Sequence, residues 1–563
     1  MDAIKSSYEF HRELESPVSF VRREWQAFVI FGGVFIIVLL IGVFAVDPAY
    51  FYPRLSTDPL LYYLKGLAFA ETGSTVATTA INRRPFQYVA MPGVMRAPFM
   101  MMFSDFDNQF RAIQVSNIAL VTLIAAMFAY VLSWVVPRSR HWMAIGFVFG
   151  FMLLSPNWVA NVFEPLADAP YAVFTLGVIL LSTRILTSDK PLRRHLVAIA
   201  AGALLFVLAF MVKFTAPVLI VFIAVLAAGR PSEHQLSRRT KAIAWFAGVA
   251  GLALLIALNW GPIIHRYLPE PIGFLTRGSK SGMLLNLLGI SIPAHIIPVY
   301  HLAFDFDPVG HVYRPKFGTT PNDAALTALG VGISLIVVYG VWRARRRFLP
   351  EAWYFLAALP VITLMIPSTR RYLLAYEPLI WIFFYAGATA LFRPLLVRVR
   401  TIRVPPALGL ALFIAATLGL IFVRSQRVVG SAGNRSAGIS IGQTRGYVNQ
   451  VSSTFRDLRG FIETLPRDRS LLVGGLGTVG RWKAISHMNY YSLDSTLSVA
   501  ARTHDIYVLL ECGTREGCHD FDRWDSAFRL QIDRYGGPFA YEPVFTRNTE
   551  HAKARVYRLT NPQ

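Results

Sequence analysis

The chain has 563 residues, of which 54% are hydrophobic and only 16% are charged. This composition excludes an ordinary soluble globular protein and is typical of a polytopic membrane protein. The formal net charge of +22 would suggest nucleic acid in a soluble protein, but lysine and arginine in membrane proteins concentrate on cytoplasmic loops. We therefore expect membrane lipids, and no nucleic acid, as partners.

Eleven apolar runs are candidates for membrane-spanning helices, each of which needs roughly 20 apolar residues. Residues 196–228 form one continuous run that is too long for a single helix without a steep tilt, so we divide it at Lys213. The predicted spans are 27–46, 113–136, 142–160, 169–186, 196–212, 214–228, 242–260, 324–341, 352–366, 373–392 and 407–423.

Basic residues indicate the orientation of these spans. The segments on the N-terminal side are about three times as rich in lysine and arginine as the segments on the opposite side. Residues 1–26 are then cytoplasmic, residues 27–423 form the transmembrane domain, and residues 424–563 form a soluble periplasmic domain. The transmembrane domain has two long outer loops, 47–109 and 261–322. The expected location is a bacterial cytoplasmic (inner) membrane.

The C-terminal region has the pattern of an α/β domain. A helical pattern in TFRDLRGFIETLP is followed by the strand patterns SLLVGG, DIYVLLE and ARVYRL. Its two cysteines, Cys512 and Cys518, lie in ECGTREGCHD, a spacing that suits a small disulfide-closed loop in an oxidising compartment. Two free thiols are the alternative.

The first outer loop contains the stretch STDPLLYYLKGLAFAETG, residues 56–73, which predicts a short amphipathic helix. Ser56 or Asp58 can serve as its N-cap, with Pro59 at the first helical position. We expect its apolar face to lie on lipid. Asp58 is thus a helix cap, a catalytic carboxylate, or both, and Asp47 at the end of the first span is the other candidate base.

Further carboxylates occur in the short second outer loop, NVFEPLADAPYAVF. Glu164 and Asp168 are four residues apart, so on a helix they face the same way. With no cation in the segment, they need a partner from elsewhere. A capping role for Asp168, two residues before Pro170, is the alternative.

Four cations are expected on the same side. Arg84 in INRRPFQY suits a phosphate oxyanion or snorkels to the interface. Lys213 interrupts an apolar run, where a cation costs several kcal/mol unless it snorkels or meets an anion. Arg370 and Arg371 in PSTRRYLLAYEP lie at the mouth of the tenth span. Fixed cations and carboxylates on one face suit a phosphate-anchored substrate that arrives from the bilayer.

The order of these motifs resembles the membrane-embedded C-class glycosyltransferases of the GT-C fold, in the branch of lipid A aminoarabinose transferase and protein mannosyltransferase. DPLLYYLKGLAFAETG resembles the acidic start of the family's first loop helix and places Asp58 at the catalytic position. RRPFQY carries over Arg84 as a donor-phosphate ligand, and DAPYAVF matches the second acidic site at Asp168. KFTAP at Lys213 and RRYLLAYEP at Arg371 resemble the later basic motifs. Two departures are the proline after Asp58, where the family often has a second acid, and Arg-Pro-Phe in place of Lys-Pro-Pro.

The resemblance implies an α-helical polytopic GT-C protein of about eleven spans with an extracytoplasmic α/β domain. The implied activity is an inverting transfer of a sugar from a polyprenyl-phosphate donor to a hydroxyl of a lipid, glycan or protein acceptor. Asp58 would be the general base, and Arg84, Lys213, Arg370 and Arg371 would bind the donor phosphate. Positioning of acceptor or sugar would fall to the remaining carboxylates: Asp168, Glu164 and Asp47.

The motifs assign no certain cofactor, and a divalent metal stays open. The fourth outer loop contains HLAFDFDPVGHVYRP, whose acidic and imidazole groups suit a metal site or a mobile polar loop. These groups are His301, Asp305, Asp307 and His311.

Two other functions fit parts of the sequence. A transporter or lipid flippase would use charged or broken helices near the bilayer midplane and is often built from repeats, but the chain has no internal repeat. A structural membrane subunit could bind cell-wall glycan through its C-terminal domain.

Overall fold

A computed structural model gives the architecture of the chain. It describes residues 2–49, 52, 57–73, 91–163, 167–188, 192–213, 215–229, 287–297, 306–307, 312–313, 321–365, 373–392, 441–474, 482, 485–486, 497–512, 518, 521–536, 539–549 and 552–560. Within these ranges the chain is predominantly helical, with a small sheet near the C-terminus.

The helices that precede the C-terminal domain are numbered in chain order. They are α1 (Asp2–Glu13), α2 (Pro17–Arg23), α3 (Trp25–Ala45), α4 (Thr57–Thr72), α5 (Met91–Val94), α6 (Ala97–Met102), α7 (Phe106–Ser133), α8 (His141–Leu154), α9 (Pro156–Phe163), α10 (Asp168–Leu186), α11 (Leu196–Val212), α12 (Ala216–Ala228), α13 (Leu287–Ile296), α14 (Pro321–Ala344), α15 (Leu349–Met365) and α16 (Leu374–Leu391). Two residue pairs, β1 (Phe306–Asp307) and β2 (Val312–Tyr313), form a short antiparallel ladder.

Five of the described helices are long and apolar enough to cross a membrane, namely α3, α7, α10, the Thr327–Ala344 part of α14, and α16. Shorter apolar helices accompany them: α11, α12, α13 and the Leu349–Ile362 part of α15. On α3 the apolar side chains Val29, Ile30, Ile37 and Ile41 are largely exposed, as expected for a lipid-facing surface. The predicted multi-pass helical architecture is therefore confirmed. The predicted spans 242–260 and 407–423 lie outside the described residues.

Two predicted spans have informative interruptions. The run 196–228 divides at Lys213 as predicted, because α11 ends at Val212 and Lys213 has extended backbone angles. The prediction of one continuous helix over 142–160 is wrong. Here α8 ends at Leu154, Ser155 is extended, and α9 begins at Pro156, where proline removes a backbone donor that a continuous helix requires.

The N-terminal helices α1 and α2 pack at one end of the bundle. The Tyr130 hydroxyl donates to the Glu15 carbonyl (2.5 Å), and the Ser7 hydroxyl donates to the Arg347 carbonyl (2.9 Å). The ends of α7 and α14 therefore meet the N-terminal segment. This agrees with the predicted topology, in which the segments after these two helices lie on the same side of the membrane as residues 1–26. We call the opposite end, where α10 begins and α11 ends, the distal end.

The C-terminal domain contains a four-stranded sheet in the order β3-β4-β6-β5. Its elements are α17 (Ile441–Thr464), β3 (Ser470–Val473), α18 (Leu497–Ala500), β4 (Asp505–Cys512), α19 (Phe521–Gly536), β5 (Ala540–Asn548) and β6 (Lys553–Thr560). β3 and β4 are parallel, whereas β4–β6 and β6–β5 are antiparallel. The predicted helix and three strands are confirmed.

The edge strand β5 was missed by the sequence patterns. It contains Pro543 and is mostly exposed or half-buried, so it has little of the apolar alternation that identifies strands. The predicted disulfide between Cys512 and Cys518 is confirmed, with a Cα–Cα distance of 5.6 Å.

The C-terminal domain is docked on the first outer loop. One hydrophobic core contains residues of α4 and α7 together with residues of α17 and the sheet: Leu60, Tyr63, Leu64, Leu67, Phe106, Phe110, Val451, Phe455, Leu458, Leu509 and Val556. The expectation that the apolar face of α4 lies on lipid is therefore wrong. The same apolar pattern is satisfied by protein, because this face lies in a core that α4 shares with α7 and α17.

Candidate functional site

The distal end contains a buried ion pair between Lys213 and Asp168. Lys213 follows the last residue of α11, and Asp168 is the first residue of α10. The Lys213 ammonium contacts Asp168 Oδ1, and the two residues are only 6% and 1% exposed. Because two opposite charges meet, an apolar bundle can hold both without an uncompensated charge.

Aromatic and hydroxyl groups surround this pair. The Lys213 ammonium lies 5.3 Å from the centroid of the Tyr171 ring, a distance suited to a cation–π contact. The Thr215 hydroxyl donates to the Tyr171 hydroxyl (2.8 Å), so α10 and the α11–α12 turn are joined by two polar contacts. These contacts hold the lysine in a fixed position.

The pair lies at the tip of a short helical hairpin. α11 has 17 residues, and α12 consists of a 3-residue 3₁₀ turn followed by a 10-residue helix. Their lengths are about 25 Å and about 21 Å, shorter than the hydrocarbon core of about 30 Å. α12 ends beside α1, where a Cβ on Gly229 would meet Tyr8 and Ile4. If the N-terminal end is at one membrane surface, Lys213 lies below the opposite surface.

A second buried polar cluster at the distal end was not predicted as a site. Both oxygens of Glu377 are engaged: the Trp158 indole donates to one, and His295 Nδ1 lies 3.2 Å from the other. Glu377 and His295 are fully buried, and Trp158 is 1% exposed. The three residues come from α16, α13 and α9, so the cluster ties three separate parts of the chain together.

A sequence signal for this cluster exists. Glu377 opens an apolar helix and is followed by Pro378, as Asp168 opens α10 shortly before Pro170. His295 is a single polar residue in the apolar stretch SIPAHIIP. An acidic residue and a histidine in apolar surroundings each need a partner when buried, which predicts pairing but not which partners.

The two clusters are linked through the first turn of α16. Residues Leu374–Tyr376 contact α10, and the fully buried rings of Tyr376 and Tyr354 have centroids 5.0 Å apart. Tyr376 is adjacent to Glu377 in sequence, while α10 carries Asp168 and Tyr171. Among the described residues, the distal end thus has a buried region that contains carboxylates, Lys213, His295 and several phenols.

Asp47 and Asp58 have different surroundings. Asp47 forms an ion pair with Arg456 of the C-terminal domain and accepts from the Ala49 backbone amide (2.9 Å). Asp58 is the second residue of α4, two positions before the buried Leu60. Asp47 is thus held in an ion pair at the domain interface, whereas Asp58 lies in the first turn of α4.

Two buried cations, one on α4 and one beside it, were also missed. Lys65 and Arg96 are 3% and 4% exposed. Burial lowers the pKa of Arg96 to about 10, and its guanidinium lies 5.4 Å from the Tyr62 ring centroid. A Cβ on Gly93 would collide with the Lys65 side chain, so the α5 backbone closely approaches α4. Lys65 stands within the apolar middle of α4, and this was an available signal in the sequence.

Four predicted site residues lie outside the described residues: Arg84, Glu164, Arg370 and Arg371. The same is true of His301, Asp305 and His311, while Asp307 ends β1. Within the part of the chain that the structure describes, no group of three or more His, Cys, Asp or Glu side chains could hold a metal ion.

Comparison with known proteins gives likenesses in structure only, since no protein-family profile and no curated protein sequence matches the chain. The archaeal oligosaccharyltransferase AglB from Archaeoglobus fulgidus, in complex with an inhibitory peptide and a dolichol-phosphate, has a TM-score of 0.47 and 12% identity. That match covers 96% of this chain and 75% of AglB. Apo ArnT from Cupriavidus metallidurans has a TM-score of 0.48 and 11% identity, over 93% of this chain and 97% of ArnT.

The predicted resemblance was to GT-C membrane glycosyltransferases, and these two similar structures belong to that group. Scores below 0.5 do not establish a shared activity.

Proposed function

We propose that the chain is an inverting glycosyltransferase that acts at the distal end of its helix bundle. It takes a sugar from a polyprenyl-phosphate donor and transfers it to a hydroxyl of a lipid, glycan or protein acceptor. The observation that carries the proposal is the buried Lys213–Asp168 pair, held by Tyr171 at the tip of a hairpin too short to cross a full bilayer.

The position of the pair supports a lipid-linked substrate. A phosphate that is esterified to a long isoprenoid stays near the membrane surface, with its chain in the hydrocarbon layer. A cation recessed slightly below that surface can reach such a phosphate, whereas a water-soluble sugar nucleotide would not need a recessed site. The fixed lysine requires little reorganisation when negative charge develops on the leaving phosphate.

The transfer itself needs one base and several cations. Asp58 accepts the proton of the acceptor hydroxyl as its oxygen attacks the anomeric carbon, and the bond from that carbon to the phosphate oxygen breaks. The electron pair leaves with the polyprenyl phosphate, whose charge is neutralised by Lys213, Arg84, Arg370 and Arg371. Attack opposite the leaving group inverts the anomeric configuration.

The carboxylates divide between roles. Asp168 orients Lys213 and can accept a hydrogen bond from a sugar hydroxyl, and Glu164 is assigned to acceptor or sugar positioning. Asp47 is engaged by Arg456, which favours Asp58 as the base. The proposed location is a bacterial inner membrane with the distal end and the C-terminal domain on the periplasmic side.

The test is donor turnover by purified protein in nanodiscs with a panel of synthetic polyprenyl-phosphate sugars. We expect wild-type protein to release polyprenyl phosphate and to form a product of inverted configuration. Asp58→Asn should lower kcat by about 100-fold or more, as expected for loss of a general base. Glu351→Gln, in a similarly buried ion pair at the other end of the bundle, is the matched control and should retain turnover.

Full activity of Asp58→Asn would remove Asp58 as the base. If wild-type protein releases polyprenyl phosphate from none of the donors but moves a fluorescent lipid between leaflets, the function is lipid transport instead.

A further inference from the structure

The C-terminal domain and the helix that bears Asp58 share one hydrophobic core, and polar groups of the domain bond to the segments next to that helix. Leu60 and Tyr63 of α4 are 2% and 0% exposed, and they share one core with Phe455 and Leu458 of α17. A helix held on this face has little freedom to rotate or shift. Leu60 lies in the first turn of α4, so this turn is part of the core that α17 completes.

Arg459 of α17 organises one polar cluster at this interface. Arg459 Nη1 donates to the Tyr52 hydroxyl (2.7 Å) and to Asp107 Oδ2 (2.9 Å). The Tyr52 hydroxyl in turn donates to Asp107 Oδ1 (2.5 Å). Arg459 on α17 is thus bonded to the loop that leads into α4 and to the first turn of α7.

The partners of Arg459 are themselves fixed. The Tyr52 ring lies 5.5 Å from the Phe106 ring and 6.2 Å from the Trp482 ring. Burial, the charge of Asp107 and its hydrogen bond all raise the pKa of Tyr52, so the phenol remains a donor at any physiological pH. Arg459 Nε is held by Glu463 Oε1 (2.7 Å), one turn further along α17.

A second ion pair also holds α17 against the first outer loop. Arg456, which lies about one helical turn before Arg459 on α17, contacts Asp47 at the end of the first span. Both arginines therefore face the first outer loop, while Asp457 between them pairs instead with Arg547 of β5 (3.2 Å). One face of α17 joins the membrane part of the chain, and another face joins its own domain.

We propose that Arg459 is a positioning residue for the transfer reaction, which acts on Asp58 through Tyr52, Asp107 and the packing of α4. This inference rests on the proposed function, in which Asp58 is the base. It gives the C-terminal domain a defined part in the reaction, because that domain completes the support on which the base is held. Arg459 itself does not touch substrate.

The experiment combines two measurements on the full-length protein in nanodiscs. Hydrogen exchange of peptides covering residues 57–72 reports the order of α4 without any substrate, and steady-state kinetics separates kcat from the donor KM. The variants are Arg459→Met, Arg459→Lys and Asp107→Asn. The matched control is Arg547→Met. It removes an exposed ion pair between Arg547 of β5 and Asp457, which lies on another face of α17.

We expect Arg459→Met to raise the exchange rate of residues 57–72 by about fivefold or more. Its kcat should fall by about tenfold or more with the donor KM changed less than about twofold, because a misplaced base lowers the rate of the chemical step. Arg459→Lys should recover part of both losses, and Asp107→Asn should reproduce them in weaker form. Arg547→Met should resemble wild type in both measurements.

Unchanged exchange of residues 57–72 in Arg459→Met would overturn the positioning role. Equal losses in Arg547→Met would also overturn it, since the effect would then be general destabilisation of the domain. Failure of the proposed function is recognised separately: wild-type protein would turn over none of the donors, while the exchange measurement would still report whether Arg459 orders α4.

Discussion

Lys213 and Asp168 lie 45 positions apart in sequence, yet they form a buried ion pair that joins the end of one helix to the start of another. In a low-dielectric site the two charges depend on each other, and removal of one leaves the other without compensation. We expect Lys213→Met to destabilise the fold by about 3–5 kcal/mol for that reason. The double variant Lys213→Met/Asp168→Leu removes both charges and should recover most of that loss.

Thermal unfolding in detergent checks the stability part of this prediction, and donor turnover checks the chemical part. The double variant should fold but remain inactive, because no ammonium is left to bind the phosphate. Recovery of activity together with stability would show that the pair is only structural.

His11 predicts a pH-dependent attachment of the N-terminal helix. Its Nε2 lies 2.7 Å from Glu351 Oε1, and its Nδ1 lies 2.7 Å from the Ser7 carbonyl oxygen. Burial alone would lower the pKa of His11, but the charge and hydrogen bond of Glu351 outweigh burial and the positive charge of Arg347, so the pKa is raised above 6.5. The stabilisation is thus fully present below pH 6.5 and is lost as pH rises through the raised pKa.

Hydrogen exchange of residues 2–13, corrected for the intrinsic effect of pH, measures this attachment. We expect protection of α1 to decline as pH rises above 6.5 in the wild-type protein. His11→Gln should flatten the pH dependence, since glutamine does not titrate. A steep dependence that persists in His11→Gln would assign the effect to another group.

The sequence predicted those features that depend on local pattern. Apolar runs predicted the helices, and a lysine within an apolar run predicted the break at Lys213. The spacing of Cys512 and Cys518 predicted their disulfide. Each of these depends on residues close together in the chain.

Features that depend on distant residues were not predictable in the same way. The apolar pattern of α4 is the same whether this face packs on lipid or on protein, so the sequence could not distinguish the two environments. Glu377 bonds to Trp158, 219 positions away, and no spacing rule connects them. Asp47 fitted a catalytic role in sequence but has Arg456 as its partner only because the C-terminal domain folds back.

Trp158 tests the buried Glu377 cluster. Trp158→Phe keeps an aromatic ring but removes the indole donor, which leaves a buried carboxylate oxygen without that hydrogen bond. The expected loss of stability is about 1–3 kcal/mol. Trp381→Phe is the matched control, because the Trp381 indole nitrogen has no hydrogen-bond partner among the described residues, and it should cost less. Equal shifts in unfolding temperature for the two variants would mean that ring volume, and not the hydrogen bond, sets the effect.

Gly340 and Gly387 lie where α14 and α16 cross in close contact. A Cβ built on Gly340 would collide with the Phe383 carbonyl oxygen, and one on Gly387 would collide with the Ile336 carbonyl oxygen. The two backbones approach each other as small residues allow in membrane bundles. Gly340→Ala should therefore push the helices apart and destabilise the protein by about 1–3 kcal/mol, as overpacking does.

Gly332 on the same helix supplies the control, because, apart from the nearby backbone of its own helix, a Cβ there would meet no described heavy atom within 4 Å. Gly332→Ala should leave the unfolding temperature unchanged or raise it, since alanine favours a helix interior by about 0.5–1 kcal/mol relative to glycine. Unfolding of both variants in the same detergent separates helix propensity from steric contact. If Gly340→Ala were as stable as Gly332→Ala, the close crossing of α14 and α16 would not exist in the membrane.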